Sequence, residues 1–242
     1  MLNKFKTTLL LASTALVFSG LGQATTVYLR DTANPTSHFA SGLSLSGVGN
    51  INSWNGTAGL LDFEMSLTSA TTGYFNLLTY CIDPVRNLSV GPANGTGGSF
   101  DLIGMSTYFA QYTPAVSNVS FTTNAIQKLW ANAYTDSKTS ATKAAAFQFL
   151  LWEYIADSSF DLIAGVVSVS DVNVRDQAIA WNTALASWTQ TSNLSVISGL
   201  YTKQSFIYEE GVTGTNENVP EPATYAMLGA GLLALGFWRR KR

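Results

Sequence analysis

Apolar and polar residues alternate in "TTVYLR" (25–30) and in "GLLDFEMSLTS" (59–69), the period-two pattern of half-buried strands. Between them "GLSLSGVGNINSWNGTAG" (42–59) is rich in Gly, Ser and Asn and reads as turns. "GYFNLLTYCID" (73–83) predicts a further strand, rich in Tyr, Phe and Leu and stopped by Pro84, so that Cys81 falls at or near a strand end. Residues 86–100, "RNLSVGPANGTGGSF", hold five glycines or prolines and predict an exposed loop.

The period changes near Thr122. Ile126, Leu129, Trp130 and Ala133 recur at helical spacing behind a cap at Thr122 or Thr123. "TSATKAAAFQFLLWEYIAD" (139–157) predicts a longer helix, with Ala144, Leu151, Trp152 and Ile155 marking one side. A third helix opens with Asp171 near its cap and runs to about Trp188, placing Ala178, Trp181, Leu185 and Trp188 on one stripe. "LSVISGLYTKQSFIYEEGV" (194–212) returns to strand-like text. Strands, a helical block, then strands predict an α+β fold, a β core carrying an inserted helical subdomain rather than a βαβ repeat. No internal repeat is visible.

The two ends have a different texture. Lys4 and Lys6 precede an apolar run from Thr7 to Leu21, with Gly22 and Ala24 at small-residue positions before a cut. That pattern predicts a cleaved secretory signal peptide over 1–24; a membrane anchor fits less well because the run is short. At the other end Val219-Pro220-Glu221-Pro222 is followed by an uncharged segment from Thr224 to Trp238 and then Arg239, Arg240, Lys241 and Arg242. Apolar followed by basic predicts membrane insertion with the basic side cytoplasmic. As a helix the segment spans about 22 Å, short of a bilayer core near 30 Å. A buried terminal helix would leave the four basic residues unexplained. The expectation is a transmembrane helix making transient or retained membrane contact.

This tail resembles the PEP-CTERM sorting signal of Gram-negative bacteria. The resemblance implies an exosortase-type membrane protease as partner and export across the inner membrane. It also implies release or attachment at the cell surface, outer membrane or extracellular matrix. The expected organisation is a signal peptide (1–24), one extracellular domain (25–215) and a sorting segment (216–242).

Residues 25–219 suffice for one domain with a sizeable core. They hold 14 acidic and 7 basic residues, a net charge of −7, against −2 for the whole chain. Such a body has no bulk attraction for nucleic acid or anionic lipid. The N-x-[ST] sites at Asn55, Asn87, Asn94, Asn118 and Asn193 mark exposed loops.

Most catalytic machinery is absent from the sequence. One histidine, His38, and one cysteine, Cys81, offer no ordinary zinc set, and no phosphate-binding glycine motif occurs, so neither a metal nor a cofactor is expected. A Cys81–His38 protease pair has no local support. The acidic residues are too scattered to name a glycosidase pair. Cys81 is also readable as a buried small hydrophobe. Gln148 is the less ordinary residue, because its helical position sets a primary amide on the side of Ala144, Leu151, Trp152 and Ile155. Two readings stay open: a core glutamine bonded to nearby backbone, or an amide attacked by the Cys81 thiol to leave a thioester and ammonia.

The body resembles the Cys-Gln thioester domains of bacterial surface adhesins. Tyr80-Cys81-Ile82-Asp83 matches the cysteine strand, Leu129-Trp130-Ala131-Asn132-Ala133-Tyr134 the "LW" helix, and Gln148 to Trp152 the spacing of the glutamine helix. Gln204, in "TKQSFI", stands where the family often has a late glutamine. The chain departs from the pattern at Phe147, Leu150 and Leu151, where Thr, Ala and Ile are usual. The resemblance implies an antiparallel β-sandwich or barrel-like core with a helical subdomain. It implies covalent adhesion through a Cys81–Gln148 thioester, with surface or matrix amines or hydroxyls as targets. Asp83 and Glu153, close in sequence to the two bond-forming residues, are assigned to assist proton movement. The expected protein is a single-turnover reactive binding module rather than an enzyme; the alternative is a noncovalent structural component of the exopolysaccharide or biofilm matrix.

Overall fold

The computed structural model describes residues 24–33, 38–48, 51–112, 116, 118–157, 161–162, 165–199 and 202–211. Strand β1, Thr25–Asp31, is followed by a long hairpin of β2, His38–Val48, and β3, Ile51–Ser66. Then come β4 (Phe75–Thr79), β5 (Gly98–Gly104), α1 (Met105–Gln111), α2 (Val119–Ser137) and α3 (Ala141–Ala156). The remaining elements are β6 (Val167–Val169), α4 (Val172–Leu185), β7 (Leu194–Ser198) and β8 (Phe206–Glu209). This is the expected strand, helix, strand order.

The sheet turns on β3. Its first part pairs with β2, from Val48–Ile51 to His38–Leu60. Its second part is held by β4, from Leu61–Thr79 to Met65–Phe75, and by β1, from Phe63–Asp31 to Ser66–Tyr28. The full order is β6-β2-β3-β1-β5-β7-β8, with β4 attached to β3, and every ladder is antiparallel. The sheet curls until β8 meets the chain just past β4. There the Ile82 N–H donates to the Ser205 carbonyl at 3.0 Å and the Ile207 N–H to the Tyr80 carbonyl at 3.2 Å. A single bridge, Cys81–Phe206, stands where closure would need a ladder. The result is sandwich-like rather than a closed barrel.

Two apolar cores follow. One fills the curl with Val27, Leu29, Phe63, Met65, Phe100 and Phe206. The other joins the helices to β2 and β3 and includes Leu43, Leu60 and the run Tyr80, Cys81, Ile82. Helix α3 is its axis, packed against β2, β3, α2 and α4. Every residue from Ala144 to Ile155 is buried, so the expected one-sided stripe is corrected to a helix enclosed all round.

Other expectations change for identifiable reasons. Residues 42–48 and 51–59 of the stretch read as turns are paired strand, because ladder pairing overrides their weak strand propensity. Helix α2 is capped by Asn118, whose side chain accepts from the Phe121 N–H at 3.0 Å. Thr122 lies inside the helix and donates to the Tyr154 carbonyl at 2.9 Å, tying α2 to α3. Asp171 caps α4 as expected, but that helix ends at Leu185, before Trp188.

The transmembrane helix is also corrected: among the described residues, no helix is long and apolar enough to cross a membrane. The segment on which that expectation rested, 224–238, lies outside the described residues, as do residues 1–23 of the expected signal peptide.

Candidate functional site

The β3–β4 ladder ends at Leu61 and Thr79, two residues before Cys81. Opposite β8, the ladder bonds are made by Tyr80 and Ile82, which makes Cys81–Phe206 a non-hydrogen-bonded pair. The N–H and C=O of Cys81 therefore point away from β8, and buried backbone groups of this kind need partners. Gln148 supplies both. Its Oε1 accepts from the Cys81 N–H at 3.1 Å, and its Nε2 donates to the Cys81 carbonyl at 2.6 Å. One side-chain amide occupies the place of a missing strand.

The surroundings hold this pair in register. The Thr79 hydroxyl donates to the Ile207 carbonyl at 2.6 Å and the Tyr80 hydroxyl to Ser137 Oγ at 2.8 Å. The Tyr80 ring lies 4.5 Å from that of Phe147, the residue just before Gln148. Phe147 in turn meets Trp130 and Trp181 edge-on. The aromatic residue that departs from the adhesin pattern thus belongs to a ring cluster binding the chain just past β4 to α2, α3 and α4.

Cys81 is a free, buried thiol. Its sulfur donates to the Asp83 carbonyl at 3.2 Å and accepts from the Asp83 N–H at 3.3 Å. Burial pushes the thiol pKa far above its ordinary value, and the Asp83 charge adds to the rise, while Trp152 and Gln204 act in the opposite sense. A pocket of about 230 Å³ opens over the pair. Leu61, Trp152, Gln204 and the exposed Phe39 and Leu88 line it, with Cys81 and Gln148 at its base. Gly59 forms part of the wall, where a Cβ would stand 2.1 Å from the His38 carbonyl oxygen.

The structure brings Cys81 and Gln148 together and sets the other expected residues apart from the amide. The Asp83 carboxylate is turned to Arg86 Nη1 at 2.6 Å and the Tyr112 hydroxyl at 3.1 Å. Burial raises its pKa, and the Arg86 guanidinium works against that rise. Glu153 is five residues along α3 from Gln148, roughly 140° around the helix. Both its carboxylate oxygens are buried and lack a hydrogen-bond partner among the described residues. Burial, together with the charges of Asp157 and Asp161, pushes its pKa up to about 9. His38 opens β2 and does not line the pocket. Among the described residues, no group of three or more His, Cys, Asp and Glu side chains is placed to hold a metal. Among the pocket residues that sequence reasoning passed over are the exposed Phe39 and Leu88, which lie in stretches left unassigned or read as loop.

Residues 218–241 match the family model of the PEP-CTERM protein-sorting motif. No curated protein and no solved structure matches the chain. The motif implies association with the exosortase system, export, and a cell-surface or extracellular location. Val219, Pro220, Glu221 and Pro222 fall within the matched stretch, outside the described residues.

Proposed function

We propose that this exported protein is a covalent adhesion module whose reactive group is a thioester between Cys81 and Gln148. The carrying observation is the pairing of the Gln148 amide with both backbone polar groups of Cys81. To form the bond, the Cys81 sulfur attacks Cδ of Gln148, the Cδ–Nε2 bond breaks, and the thiol proton leaves with nitrogen as ammonia. The Cys81 N–H, already on Oε1, would stabilise the negative charge that develops on that oxygen. In adhesion an amine of a surface or matrix partner, or a hydroxyl, attacks the same carbon. The Cδ–Sγ bond then breaks and the proton lost by the nucleophile returns to sulfur. Cys81 is 3% and Gln148 1% exposed, which keeps bulk water from the bond while the pocket admits a partner. One turnover consumes the group, so the protein acts as a binding module rather than an enzyme. On this reading the exporting cell is a Gram-negative bacterium and an exosortase-type protease processes the tail.

A noncovalent matrix role has one observation in its favour: the amide already has partners for both its polar atoms, and such a pair is stable without reacting. Intact mass of the exported protein separates the two. A deficit of one ammonia, abolished in Cys81→Ala and Gln148→Ala, is expected. The full encoded mass, with Gln148 unchanged on peptide mapping, overturns the thioester, whereas glutamate at 148 marks a spent bond.

A further inference from the structure

The Cys81 sulfur rests on a turn that encloses a buried charge. Both backbone groups of Asp83 meet it: the thiol donates to the carbonyl at 3.2 Å, and the N–H donates back to Sγ at 3.3 Å. The side chain of the same residue folds over the turn. Its Oδ1 accepts from the Val85 N–H at 3.3 Å and the Tyr112 hydroxyl at 3.1 Å, and its Oδ2 from Arg86 Nη1 at 2.6 Å. With donors on both oxygens, this carboxylate holds the turn rather than carrying a proton. Asp83 is 1% exposed, so its charge acts on the sulfur through protein more than through water. Burial raises the pKa of the nearby Tyr108 and Tyr112 phenols, which stay neutral and leave Asp83 and Arg86 as the charges of this cluster among the described residues.

We propose that the Asp83 carboxylate guards the thioester against premature opening by making Cys81 a poorer leaving group; this rests on the thioester reading above. When a nucleophile attacks Cδ of Gln148, the electron pair of the Cδ–Sγ bond passes to sulfur. The negative charge stays there until the proton lost by the nucleophile arrives. In that interval two like charges face each other across one turn, which raises the barrier to opening. The Asp83 N–H fixes the sulfur beside the carboxylate, so the two cannot move apart. The same charge already opposes ionisation of the free thiol. Arg86 keeps the guard charged: burial favours the protonated acid, and the guanidinium at 2.6 Å works against that rise. Sulfur leaves whether the attacker is water or an amine, so both openings are restrained alike.

The test follows thioester opening in the exported protein by intact mass, in buffer alone and with methylamine. Asp83→Asn keeps an acceptor for Val85 and Tyr112 but removes the charge. Asp83→Asn combined with Arg86→Gln also puts an amide pair in place of the ion pair. Both proteins are expected to open at least about tenfold faster than wild type, by the same factor for water as for methylamine. A purely structural role predicts that the paired variant regains the wild-type rate together with its melting temperature, or that one nucleophile alone gains. Either result, or unchanged rates, overturns the guard and leaves the thioester standing. Variants isolated without the ammonia deficit are read by peptide mapping: glutamate at 148 marks early opening and supports the guard, whereas unchanged glutamine overturns it. In wild type, the full encoded mass with Gln148 unchanged overturns both readings, and glutamate at 148 overturns the guard alone.

Discussion

Gln148 lies 67 residues from Cys81 in the chain, yet its amide meets both backbone polar groups of that one residue. The contact joins the helical core to the point where the sheet fails to close.

Losing it has a graded cost. Gln148→Ala leaves a buried donor and acceptor on Cys81, worth about 1–3 kcal/mol in addition to the cavity. A thioester expels Nε2, so it replaces the hydrogen bond to the Cys81 carbonyl with a cross-link closing a loop of 67 residues, about 4 kcal/mol on a chain-entropy account. Cys81→Ala, which loses the cross-link and regains that hydrogen bond, worth about 1 kcal/mol, is therefore expected to destabilise the thioester-bearing protein by about 3 kcal/mol. Denaturant unfolding of the exported wild-type and variant proteins checks this; a loss below about 2 kcal/mol would speak for an unreacted pair.

Gly59 is irreplaceable for a local reason. An added methyl would stand 2.1 Å from the His38 carbonyl oxygen, so β2 and β3 would have to separate at the pocket wall. Gly59→Ala is expected to cost about 1–3 kcal/mol and to lower the melting temperature. Thermal unfolding reads this, and an unchanged midpoint would contradict the fixed wall.

Glu153 gives the fold a pH dependence of definite sign. Its pKa in the fold is about 9, against an ordinary 4.5, so the folded protein holds a proton that the unfolded chain releases. The stability associated with that proton is complete below about pH 4.5 and is lost progressively as pH rises to about 9. The slope from this group is up to about 1.4 kcal/mol per pH unit. Glu153→Gln removes it, so the variant is expected to gain on wild type between pH 5 and about 9, as unfolding at a series of pH values would show.

The helices were the most legible part of the sequence. The existence of α2, α3 and α4 and the Asp171 cap could be read directly, because helix-forming composition, spacing and capping are local signals, although α3 is buried all round and not on one side. Most of β2 was read as turns and the start of β5 as loop, while β6 and α1 went unassigned: β2 is Ser/Gly-rich, β6 has three residues, and α1 has seven. Such elements are held by partners that a linear pattern does not show. Gln148 stood out because an amide amid apolar neighbours must be satisfied, but its partner depended on the Tyr80–Ile82 bonds to β8, a tertiary fact. Glu153 shows the opposite limit, since nearness to Gln148 in sequence places it on another side of the helix.

The bridge at Cys81 also has a mechanical meaning. The sorting motif lies at 218–241, and β8, ending at Glu209, is the last strand among the described residues. Tension applied at Gly211 enters the fold at β8. From there the load divides between the β7 ladder and the bonds that Ser205 and Ile207 make with Thr79, Tyr80 and Ile82. The residue between Tyr80 and Ile82 is Cys81, so that pull arrives one strand away from the Gln148 contact, along the seam of the sheet.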